Sequence, residues 1–429
     1  MKFLAILEDS FREAIASYVC MVQIALTIVF VLLIASVSFQ PAEARTALQP
    51  LGPYLTESIH VEPSSNPWLM QTRFNARDPF AVVAAQPLDG PESPSSSYRV
   101  TVAVQCADMP AAEDLRRSPE QMATFLREHF GRLGTWRYLE VTDVTLVREP
   151  SRYVPPLAAW FDVNARPGPD LPLLWPCQIK ALFGLLNMDE GHHGVPLGTV
   201  LYAIENNVIN VGAAWAVVLL SIVVTAFLVP SMLRKGAVDL LLVRPLHRVR
   251  LLAYRYLSGV LYVLVSVGLM ILAVWLVLGL RSGAWKPGLL LSIPVITFFF
   301  AILYAVSVFN GVMTRSAVTA IMVTCIVWFG LWILGLVYAY FDQTRGIPSD
   351  NDWAYPIVDT LHAVLPRTSD LDLLMRKVLT RELLDDVQAR QQGVNVLPAM
   401  TWGESLSVSA AFIGVLLGLA SWRFYRKDY

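Results

Sequence analysis

The chain has 429 residues, 55% hydrophobic and only 16% charged. Soluble domains carry about 25% charged residues, so this is the composition of a membrane protein. The net charge of −1 supplies no global field for nucleic acid, and no internal repeat or duplicated half is visible.

Residues 1–17, MKFLAILEDSFREAIAS, place Phe3, Leu7, Phe11 and Ile15 at four-residue spacing, with Glu8, Asp9, Arg12 and Glu13 between them. That pattern predicts a cytosolic amphipathic helix lying in the membrane interface. Six stretches reach the roughly 20 apolar residues that a spanning helix needs. They are predicted near 18–39, 208–230, 256–280, 287–312, 317–341 and 404–423, the last anchored by Trp422. Ala42-Glu43-Ala44 resembles a signal-peptide cleavage pattern. However, the flank before the first span is acidic as well as basic, and its apolar run exceeds the roughly 7–15 residues of a signal core. The first span is therefore read as a retained anchor.

Residues 40–206 fall between the first two spans. Nine prolines lie between Pro41 and Pro94, followed by Ser95-Ser96-Ser97, so 40–97 reads as an extended arm. From Tyr98 the pattern changes. Tyr98–Gln105 alternates like a strand, Ser118–Phe130 is helical with Ser118 as N-cap, and 138–147 and 158–163 read as strands. Residues 98–206 are expected to hold a small α+β domain and the return to the membrane. A second extramembrane region, 342–403, precedes the last span. Its stretch 370–391 shows a helical stripe of Leu371, Leu374, Val378 and Leu383.

Between the second and third spans, Pro230–Leu257 holds six Lys or Arg (Arg234, Lys235, Arg244, Arg248, Arg250, Arg255) against Asp239 alone. Short loops with that bias stay cytosolic. With the N-terminus inside, Lys2, Arg12, this loop, Arg315 and the tail 424–429 with its flanking Arg423 all face the cytosol, so both termini are placed there. Gly236 and Pro245 bracket Leu240, Leu241, Leu242 and Val243, which suggests a short helix with defined ends.

Chemistry-bearing motifs are few. No G-x-x-x-x-G-K-[ST] phosphate loop, nucleophile elbow or H-E-x-x-H is present, so the chain cannot bind ATP in that way, and if it does work the energy must come from a partner. The predicted spans contain almost no ionisable residues, which argues against a protein driven by an ion gradient. Gln23 and Asn310 are the clearest polar insertions, and Asn310 is expected to hydrogen-bond between helices. Cys106 and Cys177 are the only cysteines in the insertion and either pair or stay as two thiols. His192 and His193 are weak metal candidates, because adjacent side chains point apart. Glu205, Asn206, Asn207 and Asn210 crowd the outer mouth of the second span, either as a helix cap or as an outer gate.

The run Asn210–Gly259, with its PSMLRKGAVDLLLVRPLHR segment, resembles permease subunits of type-2 ATP-binding cassette (ABC-2) exporters, in particular those associated with multicopper-enzyme maturation. Phe11–Ala14 and the Thr314-Arg315-Ser316 turn also fit that family. The large insertion 40–206 departs from it. The resemblance implies an α-helical polytopic protein of a bacterial inner membrane, with six spans in an ABC-2 arrangement and the α+β insertion outside. It implies that 233–246 is a coupling helix docking on a cytosolic ABC ATPase, with Arg234, Lys235, Asp239 and Arg244 at the rim and Leu240, Leu241 and Leu242 as anchor. It also implies a second permease copy or sister chain, export of an unidentified substrate, and no enzymatic activity in this subunit. Two other readings are a mechanical module whose insertion is moved by an ATPase without cargo, and a membrane-anchored enzyme. Replacing Leu241 and Leu242 together by Asp should abolish ATPase capture in a pull-down while membrane insertion stays at wild-type yield. Undiminished capture would remove the coupling assignment.

Overall fold

The structure, a computed structural model, describes residues 18–49, 52, 55, 79–106, 109–129, 139–150, 157–168, 171–187, 194–228, 230, 248–344, 352–384, 389 and 401–426. The expected interfacial helix 1–17, the coupling segment 233–246 and the His192–His193 pair lie outside them. The chain divides into two compact units. One holds the membrane-length helices. The other runs from Ser36 to Leu201 and includes Leu383–Ala389.

The inserted unit contains two antiparallel sheets. Its elements are β1 (Ser38–Pro41), α1 (Ala44–Leu48), β2 (Phe80–Pro87), β3 (Tyr98–Gln105), α2 (Met109–Arg117), α3 (Pro119–His129), β4 (Leu139–Arg148), β5 (Ala158–Pro167), β6 (Pro176–Ala181), β7 (Leu186–Asn187) and β8 (Val195–Pro196). The larger sheet has the order β2-β3-β5-β4. Tyr98, Val100, Val102 and Val104 of β3 alternate inward and meet Phe161 and Val163 of β5. They bury against Leu115 of α2 and Met122, Phe125 and Leu126 of α3. The strand period of two produces this one-sided core. The opposite face is polar, with Thr101 Oγ1 donating to Asp162 Oδ1 at 2.7 Å and Arg99 Nε to Asn164 Oδ1 at 3.3 Å.

The expected arm 40–97 is in part corrected. Phe80–Pro87 is strand β2, paired antiparallel with β3, and Ala44, Ala47 and Leu48 of α1 enter the same core. Proline is tolerated at the ends of an edge strand, so Pro79 and Pro87 bound β2 without breaking it. Of the two alternatives for Cys106 and Cys177, the structure has the thiols. Cys106 and Cys177 are buried thiols and are not bonded to each other. Cys106 continues from β3 of the larger sheet, whereas Cys177 lies in β6 of the smaller one and donates its S–H to Val195 O at 3.3 Å. Burial pushes the Cys177 thiol up to about 11.

The smaller sheet has β6 at its centre, paired with β1, β7 and β8. Thus the strand that leaves the first membrane helix and the strand that leads to the second share one ladder. Trp175 Nε1 donates to Ala42 O at 2.9 Å just beside it. At Gly198 a Cβ would come within 2.1 Å of Leu383 O, so only glycine admits that backbone approach.

Among the described residues, six helices are long and apolar enough to cross a membrane: Tyr18–Ala35, Leu197–Ala226, Val249–Ser282, Gly288–Thr314, Ala317–Asp342 and Trp402–Arg426, called here spans 1 to 6. The chain is a mostly helical polytopic membrane protein. Span 4 is central, with 67% of its apolar window buried, and span 1 is peripheral at 11%. Span 1 buries only Cys20, Gln23 and Ile34. Gln23 Nε2 donates to Ser221 Oγ of span 2 at 3.2 Å, and Tyr262 of span 3 donates its hydroxyl to Gln23 Oε1 at 2.9 Å. Asn310 does not make the expected interhelical bond; its Nδ2 donates to Val306 O of its own helix at 2.9 Å. Arg315 closes span 4 in the left-handed region, at φ 55°.

After span 5 come α4 (Tyr355–Val364) and α5 (Thr368–Leu383). His362 Nε2 lies 3.0 Å from Asp370 Oδ1, and Ser405 Oγ of span 6 donates to Asp370 Oδ2 at 3.2 Å. The carboxylate stands between serine and histidine, so the histidine is not placed to take the serine proton. The group anchors α5, and the Tyr338 ring of span 5 stacks on His362 at 3.6 Å.

Polar groups between membrane helices contribute about 0.6–2 kcal/mol. Gln23→Ala should therefore lower stability by roughly 1 kcal/mol in mixed-micelle unfolding. A double-mutant cycle with Tyr262→Phe should show coupling, and strict additivity would contradict the bond.

Candidate functional site

The sequence around the expected second span folds as one helix that begins at Leu197, eleven residues earlier than predicted from hydropathy. Within it, Val208–Val217 is a ten-residue π-helical stretch. Such stretches are rare and occur frequently at functional sites. This one forms a wall of a cavity of about 390 Å³, completed by spans 4 and 5 and by α5.

The cavity has an aromatic side and a polar side. Trp215 from the π-helical stretch meets Trp328 of span 5, with ring centroids 4.8 Å apart, and Phe299 of span 4 stands edge-on to Trp328 at 6.0 Å. Trp332 also lines this side. The polar side is built from Asn210, Asp372 and Arg376. Arg376 Nε lies 3.1 Å from Asp372 Oδ2 in an i,i+4 pair along α5. Asp372 is hydrogen-bonded to Asn210 as well. Desolvation raises the Asp372 carboxyl above its ordinary value; Arg376 and Asn210 oppose the shift. Asn210 Nδ2 in turn donates to Asn206 O and Oδ1, both at 3.0 Å.

The gate candidates thus separate. Asn210 reaches the cavity and Asn206 braces it. Asn207 is exposed and caps its own helix through Ala203 O at 2.8 Å. Glu205 points elsewhere: it is 4% exposed, and its Oε2 has no hydrogen-bond partner. Its nearest charged neighbour is Glu382 at the end of α5. The expectation that the spans lack ionisable groups is therefore corrected, because Glu205 lies inside span 2 and Arg255, only 6% exposed, inside span 3.

Hydropathy placed the start of span 2 after Glu205 because a glutamate and three asparagines lower the window average. Asp372, Arg376 and Glu382 were missed as site residues. The only signal for them was their place on a helix whose apolar stripe had been recognised. That stripe is real but rotated slightly: Leu371, Leu374, Met375, Leu379 and Leu383 are buried, and Val378 is half-buried. Among the described residues no three His, Cys, Asp or Glu side chains converge as a metal site.

The arrangement can hold an elongated amphiphile. An apolar or aromatic body fits the tryptophan side, and a polar head reaches the Asn210–Asp372–Arg376 corner. A family model described as a protein of unknown function (DUF2705) matches residues 179–354. The match covers less than half of the chain. It takes in the span 2, 4 and 5 walls of the cavity but stops before α5. No curated protein matches the chain.

Glu382 gives a measurable sign. Desolvation raises its carboxyl above the ordinary 4.5, with the Gly288 N–H and Lys286 opposing. The folded protein then retains a proton that the unfolded chain releases. Its stabilising contribution is full below 4.5 and is lost as pH rises through the raised value. Glu382→Gln should raise the unfolding midpoint relative to wild type in alkaline buffer, and the gain should disappear toward acid. An equal gain at every pH would show that the carboxyl is not held protonated.

Proposed function

We propose that this chain is the membrane-spanning permease subunit of an ATP-binding cassette exporter, with the span 2, 4, 5 and α5 cavity receiving its amphiphilic cargo. One observation carries the reading. Span 2 is a single helix whose π-helical middle supplies Asn210 and Trp215 to the cavity, and whose end runs directly into the basic segment 231–247. A push on that segment by a cytosolic ATPase would be transmitted along this one helix to the cavity wall, as in the rocking of packed elements. The absence of a phosphate loop in the sequence makes a partner ATPase necessary to this reading, with ATP and Mg bound there. The basic bias of 230–257 supports a cytosolic face for it and for both termini, in a bacterial inner membrane. A second permease, identical or sister, would complete a path for cargo.

The inserted domain favours a second reading. It has a core of its own, and β1 and β8 connect it directly to spans 1 and 2. A mechanical module that moves this domain without passing cargo would use the same lever.

The test is purification of the full chain from its native membranes and reconstitution with whatever ATPase accompanies it. We expect a P-loop ATPase subunit in the complex and ATP-dependent accumulation of a fluorescent acyl amphiphile in inverted vesicles. Trp328→Ala and Arg376→Ala should each reduce that accumulation severalfold while basal ATP hydrolysis persists. A complex without an ATPase would end the exporter reading. An active ATPase with no cargo movement would favour the mechanical module.

A further inference from the structure

The hairpin joining β6 to β7 exposes an unusual amount of apolar surface. Leu182 is 40% exposed, Phe183 74%, Leu185 84% and Leu186 51%. Water gives no reason to present four large apolar side chains in five residues. The backbone also works to present them. Leu182 and Phe183 both occupy the left-handed region, at φ 50° and 56°, followed by Gly184 at 93°. Residues with a Cβ avoid that region, so the tip is held in a disfavoured shape.

The topology says where this tip lies. β1 leads away from span 1, since Ser36 follows Ala35, the last residue of that span. β6 pairs antiparallel with β1, from Cys177 opposite Pro41 to Lys180 opposite Ser38. It therefore runs back toward the end of β1 that follows span 1 in the chain, and its hairpin lies beyond Lys180 at that end. Phe183 N–H donates to Ser36 O at 3.0 Å, which fixes the tip at the level where the chain leaves the span. Span 1 ends at Ala35, so Ser36 is the first residue beyond that apolar helix. Leu32 and Leu33, one turn before Ser36, are themselves more than half exposed.

We propose that Leu182–Leu186 is a lipid-dipping hairpin that inserts Phe183 and Leu185 into the leaflet adjoining the end of span 1. Lys180, just before the tip, stands where an ammonium group can reach lipid phosphates while its stem lies along the apolar surface. The partner is the bilayer itself, not a second protein. The hairpin pins the base of the inserted domain to the lipid surface, and this holds whether or not the protein exports anything.

The test uses the full chain reconstituted in vesicles of phosphatidylethanolamine and phosphatidylglycerol. The photoreactive residue p-benzoyl-phenylalanine is placed at position 183, at 185, or at Val147, which is 57% exposed on edge strand β4. Illumination followed by mass analysis should find severalfold more phospholipid adduct on peptides labelled at 183 and 185 than at 147. Lipid labelling at both hairpin positions no higher than at 147 would overturn the proposal. So would adducts joining the hairpin to another protein chain in place of lipid. Two hairpin positions are probed so that a folding defect in one variant does not decide the outcome.

Discussion

Span 1 belongs to the bundle because of one amide. Nearly all of its side chains face outward, and lipid is as good a solvent for them as neighbouring leucines. Apolar packing therefore gives it little reason to stay in one place. Gln23 supplies that reason. In hydrocarbon an amide without partners costs several kcal/mol, on the order of the cyclohexane transfer scale. Ser221 and Tyr262 remove that cost only when span 1 stands in one register against spans 2 and 3.

A second consequence of the apolar solvent concerns span 2. Its polar groups are gathered in one stretch, Glu205 to Asn210, and each must find a partner or remain buried without one. Asn206 and Asn210 satisfy each other and Asp372; Asn207 turns back on its own helix. The π-helical stretch begins within this polar run, at Val208, and includes Asn210. A change of helical period re-aims side chains, and here it brings Trp215 round to Trp328 while Asn210 stays directed at α5. The cavity is thus a by-product of satisfying polar groups and aromatic bulk on the same helix.

The parts of the fold set by local pattern could be read from the chain. β3 spans Tyr98–Gln105 as expected, and β4, β5 and α3 fall within a few residues of their predicted places. All of these have strict alternation or a capped helical start. What escaped depends on distant partners. β2 was hidden because prolines dominate its surroundings and its residues FAVVAAQP do not alternate, yet β3 provides the pairing that makes it a strand. Span 2 was read short because its first third is polar, and the groups that compensate for that polarity lie on α5, more than 150 residues later in the chain. Asn310 looked like interhelical glue by residue type, but a side chain four residues from a carbonyl on its own helix has a nearer acceptor. The Asn210–Asp372–Arg376 corner could not be read in sequence at all, because neither of its two elements carries a motif.

The smaller sheet joins the two chain segments that flank the inserted domain. β6 holds β1 on one side and β8 on the other. β1, which begins at Ser38 three residues after span 1, and β8, whose Pro196 immediately precedes span 2, are therefore tied through a common strand by backbone hydrogen bonds, which resist sliding. A displacement of span 2 along its axis must carry this ladder with it or break it. Gly198 sits immediately after the ladder, where Leu383 O closes on the backbone and leaves no room for a side chain. The start of span 2 is thereby clamped by β-sheet and by the end of α5, whereas its middle is π-helical and borders open volume. A helix held at one end yields where its hydrogen-bond ladder is least regular, which places the compliance of span 2 at the cavity wall.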